Sequence, residues 1–176
     1  MSSGAAPELF DIPYSAFLQD VEQIAAKVEA AGWMPDLLVG IGRGGLVPAC
    51  YLSHRLGLPL LTVDYSSGEP AFGEELLSHI ATKGRSGRRV LLIDDINDSG
   101  ATITHLRGRI TADGGERMQI KVAVLIHNHR SSASVDYWGS QIDRATDKRW
   151  FVFPWEAMAP RDTLAEEAAS LPERLA

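Results

Sequence analysis

One stretch, VLLIDDINDSGAT at Val90–Thr102, constrains the fold and the function of this chain more than any other. Its first four residues are apolar, which predicts a buried strand over Val90–Ile93 in a sheet that is covered on both faces. Two carboxylates, Asp94 and Asp95, follow at the carboxyl end of that strand, where open α/β sheets hold their ligands. The sequence therefore predicts a ligand site at the end of a parallel strand.

The second half of the stretch predicts a seat for an anion. Ile103, Leu106 and Ile110 recur at helical spacing, so a helix is expected to begin near Thr102. The backbone N–H groups of residues 98–102 then lie in a turn that leads into a helix N-terminus, which is a common phosphate-binding arrangement. Carboxylates beside such a seat indicate a ligand with both phosphate and hydroxyl groups. A sugar phosphate fits, with Mg²⁺ between ligand and carboxylates.

The alternative is an ordinary strand, turn and helix in which Asp95 or Asp98 merely caps the helix. Single capping acids are common in proteins, but the whole run of apolar, acidic and small residues is not. The ligand site is therefore the favoured interpretation.

Composition bounds the class of protein. A chain of 176 residues, 45% of them apolar, has enough material for the core of one domain. The formal net charge of -6 argues against a nucleic-acid duplex or an anionic membrane as the main partner. No apolar run approaches the length of a membrane span, and the lone cysteine, Cys50, allows no internal disulfide. We therefore expect a cytoplasmic protein without an integral membrane segment.

A glycine-rich cluster follows a second apolar run. Leu37–Ile41 is predicted to be a buried strand, and Gly42, Arg43, Gly44 and Gly45 come directly after it. Three glycines around one arginine indicate close backbone approach together with one positive charge. A helix is expected to follow over 46–56. Such a loop is, by itself, more often structural than phosphate-binding.

The remaining segments are less specific. Ser15 is expected to cap an N-terminal helix, and Leu60–Val63 and Lys121–Ile126 are predicted strands. Residues 64–89 form a long polar stretch, which is typical of either an active-site loop or a disordered insertion. The aromatic run at 150–156 is consistent with either a core closure or a ligand pocket.

Taken in chain order, the glycine-rich cluster, the acidic stretch and the aromatic run resemble the motifs of the type I phosphoribosyltransferases. The resemblance is closest to the bacterial and archaeal xanthine-guanine (hypoxanthine) enzymes. It implies transfer of ribose 5-phosphate from 5-phosphoribosyl 1-diphosphate (PRPP) to a 6-oxopurine, with Mg²⁺ as cofactor and a role in purine salvage. It also implies a homodimer or a homotetramer whose partners are small molecules and not nucleic acid.

The same resemblance assigns the PRPP site. Asp94 and Asp95 would hold the ribose hydroxyls, with Asp95 also facing the metal, while Arg43 and Gly44 would bind the diphosphate and Arg43 would stabilise it as it leaves. The 5-phosphate would lie on the loop formed by Asp98, Ser99, Gly100, Ala101 and Thr102. Asp98 is also the candidate proton partner of the base. The alternative is that it only shapes the phosphate loop.

For the base, the resemblance predicts stacking on Trp150 and a backbone contact at Phe151, with Glu156 near the base or the metal. His127, one step past a predicted strand, stands where the family has a lysine that contacts the 6-oxo group. The chain departs from the family at this position. Because histidine titrates near neutrality, any base contact it makes would weaken as the pH rises.

The expected fold is α/β, a single type I phosphoribosyltransferase domain over 1–176 with a parallel sheet core flanked by helices and a small hood. Residues 1–9 are expected to be flexible, 64–89 to form a flexible active-site loop, and 136–158 to form the hood and base pocket. Two alternatives remain at this stage. One is a regulator or binding protein of this fold without turnover, and the other is an enzyme with a different acceptor base.

Overall fold

The computed structural model describes residues 8–63, 78–83, 85–114 and 119–170. Its main sheet has five strands, all parallel. In chain order they are β2 (Leu37–Ile41), β3 (Leu60–Val63), β4 (Val90–Asn97), β5 (Ile120–Asn128) and β6 (Tyr137–Ile142), and their spatial order is β3-β2-β4-β5-β6. The predicted α/β class with a parallel sheet core is confirmed.

A second, two-stranded sheet joins the two ends of the chain. β1 (Leu9–Asp11) pairs in parallel with β7 (Trp150–Val152), and Leu9 lies opposite Trp150. This small sheet corresponds to the expected hood. The stretch 136–158 contributes only partly to it, because β6 completes the edge of the main sheet instead. Leu9, in the segment 1–9 that was expected to be flexible, is paired in β1, whereas residues 1–7 lie outside the described part of the chain.

Helices flank the sheets, and those whose bounds the structure describes are α1 (Tyr14–Ala30), α2 (Gly42–Leu56), α3 (Ala101–Ala112) and α4 (Arg161–Ala169). α1 begins one residue before Ser15, and no side chain caps it. The cap residue is Pro13, with φ -59° and ψ 139°, and its ring carries no group that could cap the helix. The prediction of Ser15 as cap is therefore wrong, although the helix itself is confirmed.

Both faces of the main sheet are buried. One core packs α1 and α2 against the sheet and includes Phe17, Ile24, Leu38, Leu91 and Leu125. A second core lies under α3 on the opposite face, and it includes Val39, Leu92, Ile103, Leu106 and Val122. Because neighbouring residues of a strand point to opposite faces, a strand buried on both must be apolar throughout. This is why β2 is an unbroken apolar run.

β4 is longer than its apolar residues suggest. The prediction ended this strand at Ile93, whereas β4 continues to Asn97 because β5 keeps pairing with it, with Ile96 opposite Ile126. On the other side of β4, its pairing with β2 ends where Ile93 lies opposite Gly40. Beyond Ile93 the β2 edge of the strand is unpaired and faces the start of α2. The two acidic residues therefore lie inside a strand, at a gap in the sheet.

α2 begins earlier than predicted. The glycine-rich cluster was expected to be a loop before a helix at 46–56, but the helix starts at Gly42. Gly42 has φ +56°, in the left-handed region, so the chain reverses there directly from β2 into α2. All peptide bonds of the described residues are trans. Arg43, Gly44 and Gly45 thus form the first helical turn.

The expected active-site loop at 64–89 falls mostly on residues 64–77 and 84, which lie outside the described part of the chain. Residues 78–83 are helical, and Ile80 and Ala81 are buried in the core under α3. None of the described helices is both long enough and apolar enough to span a bilayer.

Candidate active site

A cleft of about 690 Å³ opens where β4 separates from β2. Its described lining combines the glycine-rich cluster, the paired acids and the chain after β7. The lining residues include Arg43, Gly44, Asp94, Asp95, Thr102, Trp155, Glu156, Leu164 and Glu167. The first two motifs lie about fifty residues apart in sequence. They meet in the structure because each one lies at the carboxyl end of β2 or β4, which are neighbouring strands of the parallel sheet. Leu164 and Glu167 come from α4.

The first turn of α2 lies in direct contact with β4. A Cβ atom at Gly44 would overlap the carboxylate of Asp95, and one at Gly45 would overlap the backbone carbonyl of Ile93. Glycine is therefore required at both positions if the helix is to reach the strand. This approach brings the N-terminal turn of α2, and Arg43 with it, to the paired acids.

The paired acids are held by their own backbone. Asp94 Oδ1 accepts a hydrogen bond from the Asp95 amide at 3.0 Å, and Asp95 Oδ1 accepts one from the Ile96 amide at 2.7 Å. Burial raises the pKa of Asp94 well above its usual range, and the adjacent charge of Asp95 raises it further. Two carboxylates in this position are stabilised by a ligand that supplies positive charge or hydroxyl donors.

Glu156 closes the same cleft from the other side. Its Oε2 accepts a hydrogen bond from the Phe153 amide at 2.8 Å, which fixes the carboxylate at a short 3-10 turn over Pro154–Glu156. Burial raises the pKa of Glu156, as does the charge of Glu167, whereas the Phe153 amide and Arg43 lower it. Arg43 and Glu156 both line the cleft, so the cleft holds a cation from α2 together with an acid near β7.

The turn between β4 and α3 leads directly into a helix N-terminus. Gly100 is the N-cap of α3 with φ +92°, and a side chain there would collide with the backbone of Ala133. Two further contacts brace the turn: Asn128 Nδ2 donates to the Asp98 carbonyl at 3.0 Å, and Ser132 Oγ donates to the Ser99 carbonyl at 2.7 Å. The loop after β5 therefore holds residues 98–100 in place, with Ser99 exposed at the turn.

The Asp98 carboxylate forms a buried ion pair with Arg144. Arg144 Nε lies 3.0 and 3.1 Å from the two carboxylate oxygens, and Nη2 lies 2.9 Å from Oδ2. Both residues are less than a tenth exposed. Removing one partner of such a pair costs about 3–5 kcal/mol, because the other charge is left buried. Asp98 thus has a structural contact that the sequence did not suggest.

Arg144 was missed in the sequence because nothing local marks it. It lies in the segment between β6 and β7 that is rich in charged residues, and its partner Asp98 is 46 positions earlier. Its Nη1 also donates to the carbonyls of Asp147 and Arg149, at 3.1 and 2.6 Å. The guanidinium therefore links the phosphate loop to the strand that carries Trp150.

A smaller cavity of about 190 Å³ adjoins the cleft. Its described lining is Asp95, Ile96, Arg144, Trp150, Phe151, Phe153 and Glu156. Two of these residues, Asp95 and Glu156, also line the larger cleft, so the two spaces meet at that pair of acids. The aromatic run that was predicted to hold the base thus borders a separate, narrower space beside the polar cleft.

His127 lies elsewhere. Its Nδ1 is 3.2 Å from Asn97 Nδ2, and its ring centroid is 5.5 Å from that of Trp138, a residue that packs against the core under α3. Burial lowers the pKa of His127, with a smaller effect from His129. His127 does not line either of the two cavities described above. The base contact suggested for His127 stays a prediction.

The acidic residues of the cleft fit a magnesium ion. Mg²⁺ prefers oxygen ligands, and it is usually bound by one or two carboxylates together with waters and substrate phosphates, without an all-protein cage. Asp94, Asp95 and Glu156 supply such carboxylates around the cleft. No group of three metal-ligating side chains is close enough to form a cage within the described ranges. A magnesium ion held by one or two of these carboxylates, with a phosphate of the ligand supplying further oxygen atoms, agrees with the carboxylates in the cleft and with the lack of a three-residue cage among the described residues.

The fold and this pair of cavities define the class of protein. A parallel sheet with a small second sheet, and a cleft between a glycine-rich helix start and an acidic strand end, is the arrangement of a type I phosphoribosyltransferase. Residues 9–159 match the family model of the phosphoribosyl transferase domain. The chain belongs to this family and is a phosphoribosyltransferase.

Solved structures of purine enzymes share the fold. The purine phosphoribosyltransferase of Pyrococcus horikoshii is 24% identical, with a TM-score of 0.62 over 87% of this chain and 97% of that one. The xanthine-guanine-hypoxanthine phosphoribosyltransferase of Helicobacter pylori is 19% identical, with a TM-score of 0.63 over 85% and 95%. A hypothetical protein of Neisseria gonorrhoeae with bound ppGpp is 21% identical, with a TM-score of 0.66 over 97% and 98%.

Proposed function

We propose that this protein catalyses the Mg²⁺-dependent transfer of ribose 5-phosphate from PRPP to a 6-oxopurine, giving a nucleoside monophosphate and diphosphate. The observation that carries the proposal is the junction of the two cavities at Asp95 and Glu156. At this junction a polar cleft, which suits a sugar phosphate, meets a narrow space lined by aromatic rings, which suits a flat base. C1 of the ribose, which leaves the diphosphate and bonds to the base, belongs at this junction.

In the cleft, each part of PRPP has a matching group. The diphosphate belongs at the first turn of α2, with Arg43 and the Gly44 amide, and the 5-phosphate belongs at residues 98–102. The ribose hydroxyls belong at Asp94 and Asp95, which carry the acceptor oxygens that hydroxyl donors need. The transfer breaks the bond from C1 of the ribose to the diphosphate and forms a bond to a ring nitrogen, whose proton is lost.

Asp95, with Asp94 or Glu156, would hold the Mg²⁺. When bound, the metal supplies positive charge that offsets the charge of the diphosphate. Arg43 adds a fixed positive charge from the opposite wall of the cleft, so the leaving diphosphate is stabilised from two sides. This arrangement needs no covalent nucleophile, and positioning with electrostatics carries the reaction.

Support for a purine acceptor comes from Trp150 and Phe151, which line the smaller cavity, and from the names of the P. horikoshii and H. pylori structures. The 6-oxo preference is that of the family branch whose aromatic run this chain resembles. Purine salvage in the cytoplasm, as a homodimer or homotetramer, completes the proposal.

One observation favours a second candidate function. The Asp98 carboxylate is paired with Arg144 and does not line either of the two cavities, so in this conformation it is not positioned to accept a proton from a base. A binding protein that keeps the phosphate cleft without turnover fits this observation. The N. gonorrhoeae structure with ppGpp is of the same fold.

A panel assay separates the two functions. Purified protein is incubated with PRPP, Mg²⁺ and, in turn, xanthine, guanine, hypoxanthine or adenine, and nucleotide and diphosphate are both measured. We expect nucleotide with at least one 6-oxopurine and none after chelation of the metal. PRPP or ppGpp binding by calorimetry, with no nucleotide from any base, would establish the binding protein instead.

A further inference from the structure

Arg144 differs from the other residues around the smaller cavity. Of the described residues that line it, Arg144 alone carries a cationic side chain, whereas Asp95 and Glu156 are acidic and the others are apolar or aromatic. Its guanidinium carbon lies 4.9 Å from the centroid of the Phe151 ring. Arg144 is only 8% exposed, and it borders this cavity.

One N–H group of the Arg144 guanidinium has no hydrogen-bond acceptor within the described part of the chain. A guanidinium has five N–H groups. The Nε–H group and one N–H group of Nη2 donate hydrogen bonds to the Asp98 carboxylate. The two N–H groups of Nη1 donate to the backbone carbonyls of Asp147 and Arg149. Within the described part of the chain, this leaves the second N–H of Nη2. A buried donor of a charged group is costly to leave unpaired, so an acceptor on a ligand would be bound there with selectivity.

We propose that Arg144 is the specificity-determining cation of the base pocket, and that this N–H donates to the 6-oxo oxygen of the base. The inference rests on the proposed function, since it requires the smaller cavity to be the base site. A 6-oxopurine presents an acceptor to the guanidinium, whereas a 6-aminopurine presents N–H donors that would face another donor. Arg144 thus selects oxopurines over adenine.

The ion pair makes this cation suitable for a neutral base. The Asp98 carboxylate balances the charge of Arg144, so the pocket does not carry an isolated buried charge. Two bonds to Asp98 and two to backbone carbonyls also fix the plane of the guanidinium, so little side-chain freedom is lost when a base binds. Asp98 then acts on the base through Arg144, as a positioning residue. The arrangement also explains how a chain with histidine at position 127 retains a positively charged donor for the 6-oxo group.

Binding of IMP and AMP tests the proposal without requiring turnover, because the two nucleotides share the ribose phosphate and differ at position 6. We expect the wild-type protein to bind IMP about 10- to 100-fold more tightly than AMP, the range that a charge-assisted hydrogen bond provides. Arg144→Lys keeps the charge but loses the fork geometry and should reduce this preference at least about tenfold.

The matched control is Arg149→Lys. Arg149 lies in the same segment, stacks on Phe10 at 4.1 Å and pairs with Asp147 at 2.8 Å. Its guanidinium carbon is also 5.6 Å from the centroid of the Phe151 ring, but Arg149 does not itself line the cavity. It should retain the wild-type preference for IMP. The double variant Asp98→Asn with Arg144→Gln is the second test, since it removes both charges together and avoids leaving one buried alone. The far-UV circular dichroism spectrum and the urea unfolding midpoint show whether each variant is folded.

The outcomes distinguish the two proposals. An IMP preference that both Arg144 variants lose and Arg149→Lys keeps supports the inference. An IMP preference that survives in either folded Arg144 variant overturns it, as does a wild-type protein that binds IMP and AMP equally. If the wild-type protein shows an Arg144-dependent preference but converts no base, the inference stands and the proposed enzymatic function fails.

Discussion

Gly44, in the first turn of α2, lies so close to the carboxylate of Asp95 that a Cβ atom at Gly44 would overlap it. The contact joins the glycine-rich cluster to the acidic strand end across the gap where β2 has ended and β4 continues. It sets the width of the cleft, because the helix start and the paired acids form two of its walls.

The first prediction is that Gly44→Ala impairs PRPP binding. The added methyl group must displace either the first turn of α2 or the Asp95 side chain, and a displacement of about 1 Å at a reacting site costs on the order of 100-fold in activity. We expect kcat/KM for PRPP to fall by about 10- to 100-fold. The measurement is steady-state kinetics with PRPP varied.

The control for this variant is Gly108→Ala in α3, where a Cβ atom meets nothing within 4 Å. Alanine there should leave kinetics unchanged and stabilise the helix by about 0.5–1 kcal/mol. Equal activity of Gly44→Ala and the wild-type protein would show that the cleft tolerates a wider gap than we infer.

The second prediction is that Asp95→Asn separates activity from stability. The Asp95 side chain borders both cavities, and Asn keeps its size, so unfolding free energy should change by less than about 1 kcal/mol. Turnover should fall by on the order of 100-fold, because a charge aimed at the metal and the ribose is lost. Nucleotide formation and urea unfolding are measured on the same preparation, with exposed Asp162→Asn as the control. A folded Asp95→Asn protein with wild-type turnover would refute the site assignment.

The third prediction concerns stability and pH. Asp20, in α1, is buried against β6, and Ser140 Oγ donates to it at 3.3 Å. Burial raises the pKa of Asp20 to about 6, against smaller opposing effects of Ser140 and Lys27. Between about pH 4 and pH 6 the folded protein therefore holds a proton that the unfolded chain has lost, and stability falls as the pH rises through that window.

Replacing Asp20 by Asn should remove this fall. Asn keeps the shape and remains neutral, so we expect the variant to be more stable than the wild-type protein at pH 7, by on the order of 1–2 kcal/mol after allowance for solvent screening. Urea unfolding from pH 4.5 to pH 8 measures the difference. If the two proteins show parallel pH dependences, the Asp20 carboxylate is ionised in the folded state and our interpretation fails.

The fourth prediction is that His127→Gln costs stability and leaves base affinity unchanged. The imidazole is beside Asn97 and Trp138, and its lowered pKa keeps it neutral at pH 7. The KM for the base, followed from pH 6 to pH 8.5, should have the same profile in both proteins once the ionisation of the base itself is subtracted. A wild-type profile that weakens with rising pH, and that His127→Lys flattens, would instead support a base contact at this residue.

The sequence by itself determined the class of fold and indicated where the candidate site lies. Leu37–Ile41 and Leu60–Val63 were predicted with the same bounds as β2 and β3. For β2 the reason is that a strand buried on both faces must be apolar along its length, and that requirement is visible locally. The acidic pair and the glycine-rich cluster were also identifiable, since a phosphate cleft needs those residue types at the ends of strands.

Tertiary structure alone decided how far these elements extend and which side chains meet. β4 runs on to Asn97 because β5 pairs with it, and α2 starts at Gly42 because its glycines lie against β4. The pairing of Asp98 with Arg144 and the presence of Glu167 in the cleft depend on how distant segments pack. An ion pair between residues 46 positions apart leaves no periodicity or spacing in the chain, because its energy exists only once the fold has removed both charges from water.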